Sequence, residues 1–171
     1  MTDSLRENGP VVLVPSAWAV VGAARIGTVS ERTLLIAHIV MATVLLLFAV
    51  VSWNEMKEGV LRAWRAVLVA GFFITSAGAL GLYGVPYTRA LLSVALYGWM
   101  LVPGVGLAYT ARESEAPYAT YASAIGALLS LIGAVVYALS STGVVPVPPT
   151  AGIAVVGVGQ TVGIADAVYR Y

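Results

Sequence analysis

The sequence has no cysteine and a single histidine. Disulfides, thiolate metal sites, iron–sulfur clusters and thiol nucleophiles are therefore excluded. Charge is scarce too: Asp, Glu, Lys and Arg make up 10% of the 171 residues, against about a quarter in an ordinary soluble domain. Nine basic residues against eight acidic ones leave a formal charge of +1, which gives no basic field to draw in nucleic acid. The only lysine, Lys57, lies outside every apolar run, so no intramembrane Schiff base can form. Also missing are paired carboxylates within an apolar run, a His-x-x-x-His pair, a Gly-x-Ser-x-Gly elbow and a phosphate loop ending in Lys-Ser/Thr. With no catalytic or metal-ligating set in view, the chain reads as a non-enzyme that needs no cofactor.

What is present is apolar: 60% of the residues are hydrophobic and the mean hydropathy is +0.92. At this composition water is the wrong solvent, and helices of about 20 residues that cross a ~30 Å hydrocarbon core account for most of the chain. The expected fold is an all-α integral membrane protein, a single bundle of about five transmembrane helices. The first span, 33–52, is opened by Glu31-Arg32 and closed by Trp53-Asn54-Glu55. The second, 64–84, stops at Val85-Pro86, because proline cannot continue the hydrogen-bond ladder. The third, 90–109, carries Pro103 beside Gly104 and Gly106 and is expected to be one bent helix, with a neighbouring helix satisfying the freed carbonyl. After the charged stretch 111–117, a fourth span covers 120–140. The uncharged loop with PVPP at 146–149 then leads to a fifth, 151–168.

Trp and Tyr cluster at these ends, where their rings sit at headgroup level: Trp53, Trp64, Tyr109, Tyr118, Tyr121, Tyr169 and Tyr171 on one side, Tyr83 and Tyr87 on the other. Residues 11–24 hold only about 14 apolar positions before Arg25, the length of an interfacial or re-entrant segment, and are assigned to the interface; a sixth span is the alternative. Asp3 and Glu7 against Arg6 argue against a secretory signal. Lys57, Arg62, Arg65, Arg112 and Arg170 on one side against Arg6, Arg25, Arg32 and Arg89 on the other place the amino end outside and the carboxyl end inside.

Lipid tails are as apolar as leucine, so such helices associate through close packing of small residues and interhelical hydrogen bonds. In the fourth span Ala122, Gly126, Ser130, Ala134 and Ala138 recur every four residues. The fifth has Gly159, Gly163 and Ala167 at the same step, with Gly152 two turns before. These stripes serve either internal packing or an interface with another copy or subunit. The first span is bulky from Val44 to Phe48 and suits lipid contact. A helix, a Gly-Val and Pro turn and a helix occur twice (GVPYT, GVVPVPPT), a faint echo that chance explains equally well.

Ionisable residues inside a span are functional candidates because burying them is costly. His38 is one, as a haem ligand or proton relay; with no second histidine, Met100 is the in-chain candidate for the other haem ligand. Asp166 is the other, with Arg170 at i+4 as a surface pair. Gln160 falls near the midplane, where its amide must find partners. With Thr161, Thr75 and Ser76 it lines a polar path for a small solute or ion, or it clamps helices together. The favoured function is thus a non-enzymatic membrane protein, an accessory subunit of a membrane complex or a homo-oligomer packed through small-residue faces, with the lipid bilayer as its solvent. A transporter or channel centred on Gln160 is the alternative, and a haem-binding electron carrier using His38 the third.

Overall fold

A computed structural model describes the backbone of residues 2–113 and 117–168, and the side chains of 11–113 and 121–168. Among the described residues all regular structure is helical: α1 (Thr2–Arg25), α2 (Glu31–Val51), α3 (Gly59–Tyr83), α4 (Thr88–Glu113), α5 (Pro117–Ser141) and α6 (Pro149–Val168). Five of these, α2 to α6, are long and apolar enough to cross a membrane. The chain is an all-α bundle of membrane-spanning type.

Local chemistry sets the boundaries. Ser30 caps α2, its side chain accepting from the Thr33 N–H at 3.1 Å, which satisfies one of the unpaired amides of the first turn. α3 ends at Gly84 in the left-handed conformation (φ 89°), with the Val85 N–H reaching back to Leu80 O, and Pro86 prevents resumption. Gly143 (φ 77°) closes α5 in the same way. Pro149 opens α6 at the first helical position, where a missing N–H costs nothing.

α4, α5 and α6 touch one another and form the centre; α3 packs on α4, α2 on α3, and α1 on α6. α6 is the most enclosed of the five long helices and α2 the least. The closest approach is between α5 and α6. A methyl added at Gly133 would lie 2.7 Å from Gly152 O, and one at Gly152 would lie 2.6 Å from Gly133 O. Here the two backbones are in direct contact.

The segment expected to lie at the interface or re-enter is not among these five candidate spans and is a shorter apolar helix. Val11–Arg25 is the second half of a continuous helix with no reversal. Trp18 packs on Gly157 and Gly22 approaches Ile153, so α1 runs antiparallel to α6. Trp18 anchors it there, buried at 8% exposure with its indole N–H bonded inside the bundle.

Candidate functional site: the polar centre of the bundle

Gln160 is 1% exposed and holds the centre. Its Oε1 accepts from Trp18 Nε1 of α1 at 3.0 Å, and its Nε2 donates to Trp99 O at 2.9 Å and Met100 O at 3.2 Å, both on α4. The bond to Trp99 O answers a local defect. Pro103 lacks an N–H, so Trp99 O, four residues earlier, has lost its ladder donor. The neighbour that satisfies the freed carbonyl is therefore Gln160.

Trp99 extends the chain of contacts. Its Nε1 donates to Thr75 Oγ1 of α3 at 3.0 Å, so Thr75, Trp99, Gln160 and Trp18 join α3, α4, α6 and α1. The other two expected polar residues turn elsewhere: Ser76 Oγ donates to Phe72 O at 2.7 Å and Thr161 Oγ1 to Gly157 O at 2.7 Å, each within its own helix. Gln160 and Thr75 are thus brought into one network, and Ser76 and Thr161 are left out of it.

A second contact mirrors the first. Trp64 of α3 donates from Nε1 to Thr110 Oγ1 of α4 at 3.1 Å, and Thr110 passes a bond to Gly106 O at 2.9 Å. The Trp99 ring lies over Gly71, where an added methyl would be 2.8 Å from Cη2; the Trp64 ring lies over Gly106 at 3.8 Å by the same measure. Both helices carry the spacing Trp-x6-Gly-x3-Thr, at Trp64, Gly71 and Thr75 and again at Trp99, Gly106 and Thr110. Because α3 and α4 are antiparallel, each Trp reaches the Gly and Thr of the other. These aromatic clasps were missed in the sequence, although the repeated spacing was there to find them.

His38 and Met100 are not brought together. His38 Nδ1 donates to Leu34 O at 2.8 Å, and its ring lies on Gly78 between α2 and α3. Met100 is 0% exposed and packs with Trp18, Ala134, Ile153 and Val156. The small-residue stripes meet inside the chain: Gly126 faces Gly159 and Gly163, with Leu107 of α4 filling the gap. Ser130 faces Gly104 of α4, Ala134 joins the Met100 cluster, and Ala122 is half-buried on the same line. Ser123, on that face, is 0% exposed with no hydrogen-bond partner for its Oγ among the described residues.

Asp166 is half-buried near the end of α6. Arg170, Tyr169, Tyr171 and Glu115 lie outside the described residues, as does the side chain of Tyr118. Trp53 sits at the end of α2 beneath Arg65, whose Cζ is 4.3 Å above the ring and whose Nη1 donates to Trp53 O at 3.2 Å. Among the described residues no three His, Asp or Glu side chains converge as a metal site. Compared with protein-family models, curated proteins and solved structures, the chain has no significant match.

Proposed function

We propose that the protein is a non-catalytic membrane bundle that works by association, as an accessory subunit of a membrane complex or as a homo-oligomer. The observation that carries this reading is the use made of the polar centre. Gln160, Thr75, Trp99 and Trp18 spend their hydrogen bonds on one another and on the proline-freed carbonyl, so they join helices instead of facing a solute. The small faces of α5 and α6 are spent on each other as well. What stays open is a groove of about 500 Å³ along α1 and α6, where the small residues Ala19, Gly22, Ala154 and Gly157 alternate with the larger Trp18, Ile153 and Val162. The small residues among them admit close approach of another transmembrane helix.

Native mass spectrometry of the protein extracted gently from its own membrane, with an absorption spectrum beside it, tests the reading. A second copy or a stable partner subunit is expected, and filling the groove by Ala154→Leu should weaken that association. A bare single chain carrying a small solute would favour transport instead. A Soret band lost in His38→Leu would favour haem binding.

A further inference from the structure

Pro103 and Gly104 divide α4 into two halves, and each half is pinned separately to α3. The first half is held by the Trp99–Thr75 bond and the second by the Trp64–Thr110 bond. The second half is seated more deeply: Gly104 rests on Ser130, and Leu107 fills the space beside Gly126 and Gly163. The first half carries the exposed residues Ser93 and Val94. Across the break itself the ladder is open at Trp99 O, and Gln160 closes it from α6. The same amide is held from its other end by Trp18 of α1.

We propose that Gln160 is a latch that sets the direction of α4 across Pro103–Gly104, and that α1 holds the latch in place through Trp18. A proline break is a point where a helix can change direction, because one rung of the ladder and its restraint are gone. Gln160 replaces that rung with one that belongs to another helix. If α1 leaves its seat on Gly157, Oε1 is left buried without a donor. The amide then turns from the α4 carbonyls, and the first half of α4 keeps its Trp99–Thr75 bond but loses the restraint across the proline. The position of α1 is in this way transmitted to α4, whether or not the groove beside α1 receives a partner helix.

The native chain has no cysteine, so pairs of introduced cysteines take spin labels without background, and pulsed electron–electron resonance reads the direction of α4. One pair, Ser93→Cys with Leu139→Cys, follows the first half of α4 against α5. The other, Ala108→Cys with Leu128→Cys, follows the second half. At 1.5 Å per residue, a ~20° change at Pro103 moves the Ser93 end by about 5 Å. Gln160→Leu should shift or broaden the first distance by about that amount and leave the second unchanged. Trp18→Phe should act in the same direction but by less. Pro103→Ala restores an N–H for Trp99 O, so with it in place adding Gln160→Leu should change neither distance.

An unchanged first distance in folded Gln160→Leu would overturn the proposal, and so would an equal shift with Pro103→Ala present. Should Gln160→Leu alone not fold, Pro103→Ala/Gln160→Leu must fold for the latch to stand.

Discussion

Replacing Gly133 by alanine tests the α5–α6 contact most sharply. The new methyl would lie 2.5 Å from Val156 Cγ2, 2.7 Å from Gly152 O and 2.8 Å from Val156 N. Two of these three atoms are backbone, so no rotamer change removes the clash. The helices must separate by several tenths of an ångström, and every contact along Gly126, Gly159 and Gly163 loosens with them. Overpacking of this kind costs about 1–3 kcal/mol, and the expected value lies at the upper end because the obstacle is main chain. Gly152→Ala meets Gly133 O and Tyr137 N, both at 2.6 Å, and should cost as much.

The comparison is internal. Gly98→Ala meets first the Ile74 side chain, with its nearest atoms at 2.9 Å, and should cost less because a side chain can turn. Gly22→Ala finds nothing nearer than Ile153 Cγ2 at 4.0 Å, so the better helix propensity of alanine, about 1 kcal/mol, should leave the protein unchanged or slightly more stable. Reversible unfolding of the four variants in mixed micelles, followed by circular dichroism, gives the order. If Gly133→Ala proved as stable as Gly22→Ala, the backbone contact between α5 and α6 would be refuted.

Other substitutions probe the polar centre by the same assay. Gln160→Ala removes three hydrogen bonds and leaves a void, and should cost on the order of 2–4 kcal/mol, more than any other single polar replacement. In a double-mutant cycle, Trp99→Phe and Thr75→Val should couple by about 0.6 kcal/mol, the usual size for a hydrogen bond between membrane helices. Trp64→Phe and Thr110→Val should couple by a similar amount, whereas Trp99→Phe with Thr110→Val should be additive. Gly78→Leu should drive His38 from its place between α2 and α3, because even a methyl there would lie 2.6 Å from His38 Cδ2; a shift of the His38 imidazole resonances would report it.

The five long helices were legible because each is an apolar run bounded by charge, proline or glycine, and their ends fall within about five residues of the expected positions. Pro103 within a single helix was legible for the same reason. The seat of the first helix was not, since an apolar run of about 14 residues sets it apart from the five spans but says nothing of a partner. What seats it is the pairing of Trp18 with Gln160, 142 positions apart, and no local pattern encodes that. Gln160 could be recognised as an amide in need of partners near the midplane, but its partners could not. They are set by which face of α6 meets α4 and α1, and hence by three-dimensional packing around Gly157, Gly159 and Gly163. The Trp-x6-Gly-x3-Thr spacing is different in kind. It stands in the letters of α3 and α4 and acquires meaning once the two helices are known to be antiparallel neighbours.

Exchange of the four indole N–H protons in deuterated buffer, read by NMR on the tryptophan-labelled protein in micelles, tests most directly whether the polar interior is closed on itself. Trp18, Trp64 and Trp99 donate to Gln160, Thr110 and Thr75, while Trp53 is exposed at the end of α2. Three indole resonances should persist long after that of Trp53 has vanished. Loss of the Trp18 and Trp99 signals as quickly as that of Trp53 would mean that water reaches the centre, and the polar groups there would have to be understood as lining a path.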